Sequence, residues 1–121
     1  MSSNETNKRS LGSFYEEQAI TYLQQYSVRI VEKNFRNRFG EIDLIGYDGG
    51  TLVFFEVKYR AGNRSGYAEE AVGAKKRRTI CKVADYYRVL HGIGDFTPVR
   101  FDVIAINEGK IHWIRDAFGY C

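Results

Sequence analysis

Two apolar, strand-length runs separated by a glycine turn each carry charged side chains where a strand should be buried. The first is Gly40-Glu41-Ile42-Asp43-Leu44-Ile45 and the second is Leu52-Val53-Phe54-Phe55-Glu56-Val57-Lys58. Between them, Tyr47-Asp48-Gly49-Gly50-Thr51 has the composition of a hairpin turn. A hairpin brings Asp43 beside the strand that bears Glu56. Glu56 and Lys58 lie two residues apart, so they share one face, roughly 6.6 Å apart along it. Charges inside a Leu-Val-Phe-Phe strand are costly to bury without partners. A bound cation is the leading compensation. The competing reading is an edge hairpin in which Glu56 and Lys58 pair with each other.

The 121 residues, 44% of them hydrophobic and 15% aromatic, suit one folded domain with a single core. The longest apolar runs are strand-length, which excludes a helical membrane span and makes a membrane partner unexpected. Met1–Asn7 is polar and lacks the apolar stretch of a secretory leader, so residues 1–10 are expected to form a disordered N-terminal tail ahead of an α/β domain over 11–121. Cys81 and Cys121 are too few and too far apart for a disulfide framework or a cysteine zinc site. A reducing, cytoplasmic compartment fits that usage.

Charge is unevenly spread. Residues 58–82 hold eight basic side chains against two acids, and the rest of the chain holds 10 basic against 13 acidic. Such asymmetry points to one face that attracts a polyanion, with a solvated helix flank as the plain alternative.

Ser13-Phe14-Tyr15-Glu16 has the form of a helix capping box, and Ala19, Ile20, Tyr22, Leu23 and Tyr26 follow at helical spacing. The pattern predicts a helix from about Phe14 to Gln25. Val28–Glu32 reads as a strand, followed by a polar, basic stretch through Arg38. The hairpin supplies strands over 41–47 and 51–59, the second apolar on both faces and therefore central. Ala61–Gly66 reads as an exposed loop. A second helix is expected from about Ala68 to Leu90, with Ile80, Val83, Ala84, Tyr87 and Leu90 as its apolar stripe, Gly73 as an interruption or preceding turn, and Lys76 on the inward edge. Strands over Val99–Asn107 and Ile111–Ile114, joined at Glu108-Gly109, complete an order of α, β, β, β, α, β, β. One α/β domain with a mixed sheet follows.

Asp43, Glu56 and Lys58 have the make-up of a metal-dependent phosphodiesterase site. Hard cations such as Mg²⁺ or Mn²⁺ take carboxylate and carbonyl oxygens and keep waters and phosphates as their other ligands. Asp43, Glu56 and the carbonyl of Val57 can supply the protein's share. Lys58 can hold the attacking water and neutralise the scissile phosphate. Arg60, Arg64, Lys75, Lys76, Arg77, Arg78 and Lys82 are the candidate contacts to a nucleic-acid backbone; for Lys76 the commoner fate is to snorkel over apolar surface. Tyr59 and Tyr67 can stack on bases, although packing is the ordinary role of an isolated tyrosine. Asp102, after Arg100 on a core strand, is expected to pair with a neighbouring arginine. His91 and His112 have no partner motif.

Gly40–Ile45 followed by Val53–Arg60 resembles the YraN-type bacterial family of the PD-(D/E)xK, restriction-endonuclease-like nuclease superfamily, similar to Holliday-junction resolvases. The resemblance extends through Glu16-x-x-Ala19 with Tyr22-Leu23, Asn34-Phe35-Arg36, Glu70-Ala71-Val72 with Lys76, Ala84 with Tyr86-Tyr87, Arg100–Val103 and Ala117-Phe118. It implies a three-layer α/β domain with a central mixed sheet flanked by helices, Asp43 and Glu56 as metal ligands, and Lys58 as catalytic lysine. It also implies that Glu16 approaches the metal cluster, a role that competes with the capping box for the same carboxylate. The chain departs from the pattern at Ile42, where a proline is usual, and at Tyr15, where glycine usually precedes the helix glutamate.

The expected function is Mg²⁺- or Mn²⁺-dependent hydrolysis of DNA, ahead of RNA, with branched or structured DNA in view; a homodimer is suggested by analogy with nucleases of branched DNA. A second reading is a nucleic-acid-binding or interaction protein that keeps the fold with little or no turnover. A third is a plain structural hairpin domain that binds no metal.

Overall fold

A computed structural model describes residues 3–60 and 72–121, with side chains from Ser10 onward. The expected loop Ala61–Gly66, Arg64, Tyr67 and residues 68–71 of the expected second helix lie outside the described residues. The elements run α1 (Ser3–Gln25), β1 (Arg29–Asn37), β2 (Gly40–Asp48), β3 (Thr51–Arg60), α2 (Ala74–Leu90), β4 (Val99–Asn107) and β5 (Lys110–Phe118). The five strands form one sheet in chain order, antiparallel throughout except that β3 and β4 are parallel. A parallel pair needs a crossover, and α2 lies in it.

Alternation along β3 shows how the layers form. Leu52 and Phe54 join a core with Ile80, Val83, Ala84 and Tyr87 of α2. Val53 and Phe55 join a second core with Ala19 and Leu23 of α1. One helix therefore covers each face, and the restriction-endonuclease-like layering of helix, mixed sheet and helix is found. The expected centrality of β3 holds, because both of its faces are buried.

Several boundaries differ from expectation. α1 starts at Ser3 rather than near Phe14, so it takes in most of the stretch expected to be a tail. Ser13 then sits inside the helix, where its neighbours' amides already have partners one turn back, and the capping box is not formed. β1 continues through the basic stretch to Asn37, since an edge strand tolerates polar side chains along its length. α2 starts at Ala74 with Gly73 as its N-cap. Leu90 is exposed at the helix end, and Cys81 takes a buried place in the stripe instead.

α1 stops where Ser27 turns left-handed at φ 65°, and the amide of Val28 bonds back to the Leu23 carbonyl at 3.1 Å. The β4–β5 turn puts both Glu108 and Gly109 at positive φ, as a tight two-residue hairpin requires. In β1, pairing with β2 shifts between Ile30 and Glu32. There Gly46 passes so close that a Cβ on it would lie 2.7 Å from the Arg29 carbonyl oxygen. Gly46→Ala is accordingly expected to cost about 1–3 kcal/mol, read as a lower urea midpoint at unchanged slope.

Arg100 and Asp102 pair as expected, within a larger network. The side chain of Asp102 is fully buried and accepts from Arg100 Nε at 2.9 Å, Trp113 Nε1 at 2.8 Å and the Asp116 amide at 2.9 Å. Asp116 stands at φ 54° in a bulge of β5, which turns its amide towards the carboxylate. Arg100 also reaches Asp48 at 2.9 Å.

Candidate active site

β2 and β3 pair from Asp48↔Thr51 only as far as Leu44↔Phe55. Beyond that point β2 follows β1 down to Asn37↔Gly40, while β3 follows β4 up to Arg60↔Asn107. The sheet therefore forks, and Asp43 and Glu56 are the first residues past the fork. The amide of Val57, which has lost its place in the β2 ladder, donates instead to Asp43 Oδ2 at 2.8 Å. A hairpin whose strands part at this position explains how two acids can stand in an otherwise apolar pair of strands.

Asp43 and Glu56 line one cavity just past the fork, and Glu56 is only 7% exposed. Burial first, and then the charge of Glu56, pushes the Asp43 carboxyl up from its ordinary range to about 8, against the pull of the Val57 amide. Two acids this close cannot both stay ionised without a cation or a proton between them. The donor set of two carboxylates with a neighbouring main-chain oxygen suits a hard divalent ion. Among the described residues, no group of three His, Cys, Asp or Glu side chains stands close enough to share one ion. Protein ligation would therefore rest on Asp43, Glu56 and the Val57 carbonyl.

Glu16 lies on the wall of the same cavity. That cavity, about 290 Å³, is lined by Asp43, Glu56 and Val57 from the strands and by Leu11, Tyr15 and Glu16 from α1. A neighbouring cavity of about 380 Å³ also borders on Glu16 and runs out past Asn34, Arg36 and Glu41. Of the two roles expected to compete for Glu16, the cap is absent and the approach to the acidic pair is present. Burial, followed by the charges of Asp43 and Glu41, raises its pKa, while the hydrogen bond from Asn34 Nδ2 at 3.0 Å opposes the shift.

Asn34 was not among the expected site residues. It sits at φ 54°, a left-handed conformation that asparagine tolerates, and this aims its amide at Glu16. Tyr15, at a position where glycine is usual in the resembling family, stacks on Tyr59 with ring centroids 3.9 Å apart. The two rings wall the cleft, and Glu16 still reaches it. The expected base-stacking role of Tyr59 gives way to this packing within the protein.

Lys58 is half-buried, and strand alternation places it on the face of Glu56. No ion pair joins the two among the described residues, so the simple edge-hairpin pairing is not found. Of the expected backbone contacts, Arg60, Lys75, Lys76, Arg78 and Lys82 are exposed and Arg77 is half-buried. Lys76 is thus not on the inward edge: it falls in the first turn of α2, ahead of the buried stripe that begins at Ile80.

The family model described as "Uncharacterised protein family UPF0102" matches residues 15–106. The chain belongs to the UPF0102 family. It is 39% identical over 112 residues to a UPF0102 protein of Lachnoclostridium phytofermentans, covering 93% of this chain and 95% of that one. Against UPF0102 proteins of Persephonella marina and Thermodesulfovibrio yellowstonii, identity is 44% and 45%, with 88% and 95% of those chains covered and 85% and 89% of this one. The YraN-type resemblance is thereby borne out at family level. UPF0102 membership carries the whole span from Tyr15 on α1 to Ile106 on β4, which includes Glu16, Asp43, Glu56 and Lys58. Among the described residues, no helix is long and apolar enough to cross a membrane.

Proposed function

We propose that this UPF0102 protein is a metal-dependent nuclease of the PD-(D/E)xK superfamily that hydrolyses phosphodiester bonds in DNA. The observation that carries the reading is the convergence of Asp43, Glu56 and Glu16 on one cavity at the fork of β2 and β3. A Mg²⁺ or Mn²⁺ ion held by Asp43, Glu56 and the Val57 carbonyl would supply an acidified water and offset negative charge at the phosphorus. The Val57 amide fixes one oxygen of Asp43, so that acid is oriented before any ligand arrives. Lys58, on the same strand face as Glu56, would supply an ammonium to orient the attacking water and meet the charge that grows on the phosphate oxygens. Asn34 holds Glu16, which lines the same cavity and would accept a hydrogen bond from such a water. The exposed cations of α2 grip the backbone without reading sequence, which leaves shape to set specificity.

A second reading, a nucleic-acid-binding protein of little or no turnover, draws on the fact that among the described residues no group of three His, Cys, Asp or Glu side chains could share one ion. Incubation of linear, nicked, flap and four-way DNA with Mg²⁺ or Mn²⁺ separates the two. The nuclease reading expects product that disappears with chelator and falls on the order of 10²–10³-fold in Lys58→Ala. Wild-type cutting rates in that variant would remove Lys58 from the chemistry. Binding that survives Asp43→Ala, with no metal-dependent product at any ion concentration, would favour the second reading.

A further inference from the structure

The turn between β1 and β2 presents Phe39 to solvent with 45% of the residue exposed. It is nevertheless held in place. The Phe39 amide donates to Asn37 Oδ1 at 2.8 Å, and Gly40 lies so close to α2 that a Cβ on it would come within 2.5 Å of Thr79 Cγ2. Two cations lie over the ring: the Arg38 guanidinium 4.9 Å from its centroid and the Lys82 ammonium 5.8 Å away. Lys82 continues an exposed stripe of α2 that includes Lys75 and Arg78. Asp43 lies four residues along the chain from Phe39, roughly 13 Å of extended backbone, which a few nucleotides can span.

An exposed aromatic on a backbone-anchored turn, with two cations close to its ring, suits one kind of occupant. A nucleobase offers a flat face to the ring, and the phosphates on either side of it offer charge to the lysine and arginine. A paired base keeps its faces inside the duplex stack, so the ring is accessible only to a base that has left it. We propose that Phe39, with Arg38 and Lys82 close to its ring, is a stacking platform for an unpaired nucleobase, so that the protein selects strands carrying an unpaired nucleotide. That this base lies next to the cleaved bond rests on the nuclease reading; the platform itself does not.

The test uses a single-stranded oligonucleotide containing 2-aminopurine, titrated with the full chain in EDTA so that no turnover occurs. Wild type is expected to quench the fluorophore and bind. Phe39→Ala is expected to weaken single-strand binding about 10-fold while changing affinity for a fully paired duplex less than about twofold. Phe39→Trp should restore the single-strand affinity, and thermal melting of each variant checks that the fold is intact. Equal single-strand affinity of wild type and Phe39→Ala would overturn the platform. So would an equal loss on single strand and duplex, which would mean that Phe39 only shapes the turn. Wild type that cuts no DNA but keeps the single-strand contrast sinks the nuclease reading alone; wild type that cuts without that contrast sinks the platform alone.

Discussion

Asp43→Asn is expected to make the metal-free protein more stable above pH 8, not less. The carboxyl of Asp43 is held near 8 in the fold, against 3.8 as its ordinary value. Between those two pH values the folded protein therefore binds more protons than the unfolded chain, and stability falls as pH rises through the window. Well below 3.8 both states carry the proton and the effect is absent, and at pH 4 it is still small. Above pH 8 the full penalty of two neighbouring buried carboxylates is felt. Asparagine keeps an oxygen for the Val57 amide and removes the charge. The expected gain at pH 8.5 is on the order of 2–3 kcal/mol, less than the whole shift would give because the asparagine amide still has to be desolvated. Thermal melting at pH 4 and pH 8.5 measures it. If the ion reading is right, Mn²⁺ raises the wild-type midpoint at pH 8.5 and leaves the variant's unmoved, since binding to the folded state alone is what stabilises. Parallel melting curves for wild type and variant across that pH range would contradict the closeness of the two acids.

Asp102→Ala should be among the most damaging substitutions in the molecule. It would strip the acceptor from the Trp113 indole and the Asp116 amide at once and leave Arg100 with Asp48 alone. Removing one side of a buried, hydrogen-bonded ion pair costs about 3–5 kcal/mol, a large share of the stability of a domain this size. A fall in melting temperature on the order of 10–20 °C follows. Asp48→Ala is the internal comparison. Asp48 is partly solvated and serves only Arg100, so its loss should cost no more than about 1 kcal/mol. Equal midpoints for the two variants would show that the Trp113 and Asp116 bonds contribute little.

The parts of the fold that were legible in the sequence are those where burial writes a local period. β3 is apolar on both faces and is central; the Gly49-Gly50 and Glu108-Gly109 turns carry residues suited to tight hairpins. The misreadings have one physical origin. β1 beyond Glu32, where Phe35 alone packs against the core, and the end of α2 near Leu90 are otherwise half-buried or exposed, so side-chain polarity there does not report the backbone. Lys76 was misplaced because the start of α2 at Ala74 was not evident: four residues before Ile80 it shares that stripe by phase, but it lies in the exposed first turn. Asp43, Glu56 and Lys58 were legible because charge in an apolar strand is anomalous in itself. The route of Glu16 to the pocket was visible only by resemblance. Asn34 and the Tyr15–Tyr59 stack left no local trace, since each depends on residues brought together from different elements.

The forked end of the sheet also bears on how a lineage with this architecture can change. The greasy slabs on either side of the paired strands hold the molecule together, whereas the acids beyond the fork add strain rather than cohesion. Descendants that discard those acids would keep their shape and gain robustness, so an ancestral catalyst could drift into a mere clamp without passing through an unfolded form.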